Sequence, residues 1–188
     1  MTDTQVLRQE AATRRTLSVE SQFGEIPSSI PYLDGLLKQS SSLDEKHLLF
    51  SLILGECIRA ENRQAEVHYL RRQLEDLPRQ PILLANLATA LASVPGSEQE
   101  ALMRCTEAVD LAQQEDRQVR YCLTCQVRVA LLLGDYEALN RAIRGLLADS
   151  GNRRSEDTEY EFDFVDQIDV GRCDPKLLAQ YKALVCRI

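Results

Sequence analysis

The sequence contains no tryptophan, and its aromatic residues make up only 5% of the chain. Eight glycines and six prolines among 188 residues leave few positions for tight turns. A β-sandwich or barrel needs turn chemistry every ~8 to 12 residues and many β-branched or aromatic positions. This chain supplies neither, which leaves an all-helical protein. Long apolar runs are also missing: the longest, Leu48 to Leu54, is broken by Ser51 and falls far short of the ~18 residues that cross a bilayer. The first thirty residues carry Arg8, Arg14 and Arg15 among Asp3, Glu10 and Glu20, with no apolar stretch of the secretory kind. The expected location is therefore cytoplasmic, and the length suits one ordinary domain with a tail.

Basic residues are in the minority, 22 Lys and Arg against 29 Asp and Glu, for a net charge of −7. Such a surface repels phosphate backbones, and no concentrated basic run offsets it. Neither nucleic acid nor a membrane is an expected partner. The six cysteines, Cys57, Cys105, Cys122, Cys125, Cys173 and Cys186, are expected as reduced thiols in that compartment.

Signatures of common chemistries are absent too. No phosphate-binding GxxxxGK[ST] loop, GxGxxG turn, GxSxG elbow or HExxH helix occurs, so no catalytic residue, enzyme activity or cofactor is expected. His47 and His68 are the only histidines. A nucleophilic pair of His68 with Cys57 or Cys105 would depend wholly on the fold. Cys122 and Cys125 form a CxxC, which is half of a zinc site or a redox pair. No second CxxC accompanies it, and thiols one helical turn apart fill a core as small hydrophobes. The expectation is no metal, with a metal- or thiol-dependent role for the CxxC as an alternative.

What is present is a succession of helix signals. Over residues 1–31 the pattern is weak: Val6, Leu7, Ala11 and Ala12 suit one short amphipathic helix, and Pro27, Ser28, Ser29 and Pro31 end it. Tyr32 to Lys38 suits another. Ser42 and Glu45 have capping-box spacing and predict a helix start, with Leu48, Leu52, Leu54 and Ile58 as its apolar stripe. A second helix carries Val67, Leu70, Leu74 and Leu77 and stops at Pro78. Pro81 opens a third, which runs to Ser93. Ser97 and Glu100 form a second capping-box pair before a fourth helix with Leu102, Cys105, Val109 and Ala112. Asp116 begins a fifth, Gly134 closes it as a left-handed cap, and Asp135 opens a sixth through Leu139, Ala142, Ile143 and Leu146. Asp174 and Pro175 start a last helix to about Cys186.

The helix pairs superpose on one another. Leu54, Leu87 and Leu123 align in the first helices, as do Ile58, Leu91 and Val127. Val67, Leu102 and Leu139 align in the second helices, followed by Leu70, Cys105 and Ala142 and by Leu74, Val109 and Leu146. The period is near 35 residues. Small residues at Ala101 and Ala108 recur as Ala138 and Gly145 and allow close helix approach. One helix pair cannot bury its own stripe, so such units stack.

Between Lys46 and Ser150 this pattern resembles the tetratricopeptide (TPR) repeat, a helix-turn-helix unit of 34 residues. Leu54-Gly55, Asn86-Leu87-Ala88 and Gly134-Asp135-Tyr136-Glu137-Ala138-Leu139 carry the resemblance. It implies a right-handed α-solenoid of about three helix pairs with extra N-terminal and C-terminal helices. It also implies a concave groove lined by Glu56 and Arg59, then Asn86 and Thr89, then Gln118, Tyr121 and Arg128. No tryptophan opens any first helix. Of the pattern with which some members bind a C-terminal carboxylate only Asn86 is present, and Glu56 stands where that pattern has Asn, so that ligand is not expected.

Residues 153–188 begin differently. Glu156, Asp157, Glu159, Glu161 and Asp163 alternate with Tyr160, Phe162 and Phe164, and no Lys or Arg intervenes. One reading is a solvated connection whose aromatics tuck onto the last repeat. Another is an acidic strip that binds a basic partner, with aromatic anchors and steering carboxylates. The organisation expected is an N-terminal arm with short helices (1–41), TPR-like repeats (42–152), then the acidic connection and final helix (153–188). The function expected is a non-enzymatic protein-interaction module, adaptor or chaperone-like, with a partner peptide or helix in the groove. The alternative binder is an acidic inhibitor or immunity-type protein blocking a basic partner through the strip. Helix pairs at the end of a stack often associate, which makes a homodimer a further expectation.

Overall fold

The computed structural model describes residues 4–150 and 165–185. Among them the chain is mainly helical, with nine α-helices and one β-hairpin. They fall into two compact units, 1–79 and 80–188. The division lies inside the expected repeat region, and the N-terminal segments are packed into the core of the first unit. The acidic strip, Glu156 to Phe164, and Cys186 lie outside the described residues.

In the first unit, α1 (Thr4–Arg14) leads into strands β1 (Ser18–Ser21) and β2 (Gly24–Pro27), followed by α2 (Ser29–Gln39), α3 (Leu43–Arg59) and α4 (Arg63–Asp76). The hairpin corrects the expectation of helices alone. Its strands pair antiparallel, Val19 with Ile26 and Glu20 with Glu25. Gly24, the first residue of β2 after the two turn residues Gln22 and Phe23, is left-handed at φ +79°, a conformation glycine adopts without steric cost. Ser21 Oγ braces that turn, donating to Gly24 O at 2.8 Å and accepting from Phe23 N at 3.0 Å. Pro31 does not end a helix. It sits in the first turn of α2, where its missing N–H has no intrahelical partner to lose.

The core of this unit gathers Leu7 and Ala11 of α1, Ile26 of β2, Ile30, Leu33 and Leu37 of α2, and Leu49, Phe50, Ile53 and Cys57 of α3. The stripe expected on α3 is therefore displaced: Leu48, Leu52 and Leu54 are half-buried, and Ile58 is 51% exposed. Ile53 and Cys57 take the inward positions, and the adjacent Glu56 is buried with them. Ser42 caps α3 as its spacing predicts, accepting from Glu45 N at 3.4 Å. Asn62 caps α4, accepting from Ala65 N at 3.0 Å, and its Nδ2 donates to Phe23 O at 3.0 Å. One side chain thus starts a helix and holds the hairpin tip.

The second unit contains α5 (Pro81–Leu91), α6 (Glu98–Glu115), α7 (Val119–Leu132), α8 (Tyr136–Ser150), a 3₁₀ turn (Val165–Gln167) and α9 (Pro175–Val185). Helix α5 packs on α6 and on α7, α6 also meets α7, and α7 packs on α8, which carries α9. Small residues set the approach. Ala101 and Ala108 are fully buried on α6, and a Cβ at Gly145 would meet Leu123 Cδ2 at 3.3 Å. Gly134 closes α7 at φ +65°, Asp135 Oδ1 accepts from Ala138 N at 2.9 Å, and Asp174 Oδ1 accepts from Lys176 N at 3.0 Å. These caps fall where the sequence puts them. Two others do not. Ser97 makes no side-chain cap; instead Glu98 Oε1 accepts from Gly96 N at 3.1 Å. Asp116 does not begin α7 but ends α6 in the left-handed conformation, and Gln118 is the N-cap of α7.

The double role of Asn62 separates by substitution. Asn62→Ala is expected to lower stability by about 1–2 kcal/mol, the usual range for a lost N-cap. Asn62→Asp, which keeps the cap acceptor and loses the donor to Phe23, should recover the larger part. Urea melts of the three chains measure both.

Candidate functional site

Helices α5 and α7 lie side by side and place four of the expected groove residues on one another's flank. On α5, Asn86 and Thr89 are half-buried one turn apart. On α7, Tyr121 and Cys125 share a face with Arg128, which is exposed. The Tyr121 hydroxyl donates to Asn86 Oδ1, and the Cys125 thiol is within hydrogen-bond reach of Thr89 and Tyr121. Thr89 Oγ1 donates back to Ala85 O at 3.0 Å. Burial pushes the Tyr121 hydroxyl well above its ordinary range, with Cys125 adding to the rise. It therefore stays a neutral donor. Because Asn86 Oδ1 is committed to Tyr121, the two Nδ2 hydrogens are the part of that amide left for another acceptor.

Gln118 is at the edge of the same pair of helices, and its Oε1 accepts from Ile82 N at 3.2 Å. The first turn of a helix leaves N–H groups without intrahelical partners. Gln118 satisfies one of them, so it splices α7 to the start of α5.

Glu56 and Arg59, expected in the groove of the first helix pair, form a different structure. Glu56 is 1% exposed. Arg15 reaches it with a two-pronged contact, Nε to Oε2 at 2.8 Å and Nη2 to Oε1 at 2.7 Å. Ser29 Oγ donates to Oε2 at 3.0 Å, and Arg59 Nη2 donates to Oε1. Burial alone would raise the Glu56 pKa, but the hydrogen bonds from Arg15, Arg59 and Ser29, with the Arg59 charge, outweigh it and hold the carboxyl below its ordinary value. The carboxylate is saturated by its own chain. Its role is to fasten α1, α2 and α3 together, and the sequence signal that would have revealed this, a basic residue 41 positions away, has no local meaning.

The CxxC thiols are interior. Cys105, Cys122 and Cys125 are all buried, and burial pushes Cys105 and Cys122 up to about 12. A thiol in that state is almost wholly protonated at neutral pH, which suits packing and opposes nucleophilic chemistry. Among the described residues no group of three or more His, Cys, Asp or Glu side chains is placed to hold a metal ion. In the first unit His68 stacks beside Phe23 and Tyr69, with ring centroids 5.0 and 5.1 Å away, and burial lowers its pKa. A cavity of about 220 Å³ between α6, α7 and α8 is bordered by Leu102, Gln126, Asp135 and Arg141. Its charged groups are already engaged, Asp135 as the α8 cap and Arg141 with Glu137 at 2.6 Å. Among the described residues no helix is long and apolar enough to cross a membrane.

Comparison with protein-family models, with curated proteins and with solved structures finds no match to this chain.

Two measurements check these assignments. The contribution of Glu56 has a defined sign: its folded pKa lies below the ordinary 4.5, so its stabilisation is present above that pH and lost as pH falls through the lowered value. Glu56→Gln is expected to cost about 1–3 kcal/mol at pH 7, with the gap to the unsubstituted chain closing below pH 4.5 in thermal melts. Separately, Ellman's reagent at pH 8 should modify Cys105 and Cys122 in the folded chain slower by about a hundredfold or more than in denaturant.

Proposed function

We propose that the protein is a non-enzymatic interaction module of the TPR kind, adaptor or chaperone-like, that holds an extended segment of a partner protein against the face formed by α5 and α7. The observation that carries this reading is the Tyr121–Asn86 hydrogen bond. It turns the carboxamide so that its free donors suit a peptide carbonyl, and it does so on half-buried side chains, where such a bond is shielded from competing water. Thr89 and Arg128 flank the pair with a hydroxyl and an exposed guanidinium. The packing of α5 on α6, of α7 on α8 and of α5 beside α7 is the arrangement in which helical repeats present their first helices to a ligand. On this reading α3 and α4 are a further pair of the same repeat, and the repeat carried through is a right-handed α-solenoid. The Asn86 geometry is what makes this face specific for a main-chain acceptor.

The test begins with affinity capture from native lysate at low and high salt, read by mass spectrometry, and continues with the purified partner. Asn86→Ala and Tyr121→Phe are each expected to weaken that partner by about tenfold, the scale of a central contact, without lowering the melting temperature to match. Neutralising the acids from Glu156 to Asp163 should leave the affinity in place. The reverse pattern, or no partner at either salt concentration, overturns the reading.

A further inference from the structure

Hairpin β1/β2 presents an open edge. Leu17 O accepts from Ser28 N at 2.7 Å, which continues the register of the ladder by one pair. Bonded pairs alternate along an antiparallel ladder, so Val19 and Ser21 turn their backbone groups toward β2, while Ser18 and Glu20 turn theirs away from it. Pro27, opposite Ser18, fits this alternation, since proline is tolerated where the N–H would point out of the ladder. The sheet has two strands only, and no other described strand covers β1. Its residues are exposed or half-buried along their whole length.

The two faces of that edge differ. On one, Val19 is 38% exposed beside Ile26, which is buried in the core. On the other, Glu20 and Glu25 stand directly opposite each other, both exposed, with Ser18 Oγ donating to Glu25. Like charges facing across a ladder are destabilising, and no described basic side chain forms an ion pair with either. A second copy of the chain does not fit. Antiparallel pairing of two β1 edges through their outward groups puts the Glu20 and Glu25 of both copies on one face.

We propose that β1 is a docking edge for an extended segment of a partner protein with alternating basic and apolar residues, which adds as a third strand. The backbone groups of Ser18 and Glu20 bond its main chain, its basic side chains reach Glu20 and, across β1, Glu25, and its apolar ones lie beside Val19. The site is independent of the α5/α7 face.

The probe is a fluorescent peptide of about eight alternating Lys and Val residues, a typical strand length, with a Glu and Val peptide as its control, titrated into the full chain. The expected result is binding by the Lys peptide that weakens steeply with salt, slowed amide exchange at Ser18 and Glu20, and a Glu peptide at least about tenfold weaker. Glu20→Pro removes an outward N–H and no ladder bond, and should weaken the Lys peptide by about tenfold. The double variant Glu20→Gln, Glu25→Gln keeps the edge and should bind several-fold more weakly with a flatter salt dependence. Thermal melts confirm that the variants fold, and the exchange result on the unsubstituted chain stands without them. Absence of binding, equal binding by the two peptides, or protection at amides other than Ser18 and Glu20 overturns the proposal. So does concentration-dependent dimerisation abolished by Glu20→Pro, which would make a second copy the occupant.

Discussion

A carboxylate withdrawn from water has to be met by cations and donors, and in the N-terminal unit that requirement falls on Glu56. Three partners answer it, from three parts of the chain: Arg15 after α1, Ser29 at the start of α2, and Arg59 one turn along α3. Removing a buried ion's partners costs far more than an exposed pair ever contributes, so this contact constrains where those segments can go. With Arg15 and Ser29 both anchored, the residues between them have to leave and return over a short distance. A tight hairpin does that, and Asn62 pins its tip at Phe23. The outward aspect of β1 follows from the same constraint, because β2 takes the inner position next to α2.

The C-terminal unit is organised by size more than by charge. Lacking tryptophan and poor in other aromatics, it cannot fill wide gaps between helices with large rings. It brings the helices close instead, over Ala101, Ala108 and Gly145, and uses Cys105 and Cys122 as small apolar fillers. Polar side chains are admitted between α5 and α7 only where they satisfy one another. Tyr121, Asn86, Thr89 and Cys125 do so, and the part left over, the Asn86 donors, is what the proposed reading of that face rests on.

On the two readings proposed, the α5/α7 face and the β1 edge each offer backbone-directed hydrogen bonding to a partner in extended conformation. One is a side-chain amide held in a fixed orientation, the other a strand edge. As proposed, both would read main chain first and side chains second, which suits recognition of unfolded or loosely structured segments. The acidity of the whole chain, with 29 acids against 22 bases, favours the approach of a basic segment to the β1 edge in particular.

Helix starts were legible in the sequence wherever a side chain acts on its own neighbours. Ser42, Pro81, Asp135 and Asp174 mark true boundaries because capping is a local interaction over three residues. Ser97 also marks a true start, that of α6, though without a side-chain cap bond, whereas Asp116 misled, since aspartate serves turns and helix ends as readily as helix starts. The hairpin was hidden because each strand spans only four residues, too few for an alternation to stand out. The repeat resemblance put Asn86 and Tyr121 among groove residues of successive helix pairs, and their hydrogen bond to each other appears only in the fold, while the same register placed Glu56 in a groove where the fold buries it. What the sequence by itself determined is the helical content and most of the caps, set by contacts within a few residues along the chain, and the order of the helix pairs, set by their short connections. What only the tertiary structure decided is which polar groups are consumed and which are left to bind, because that depends on partners such as Arg15 for Glu56, 41 residues apart, which meet only after folding.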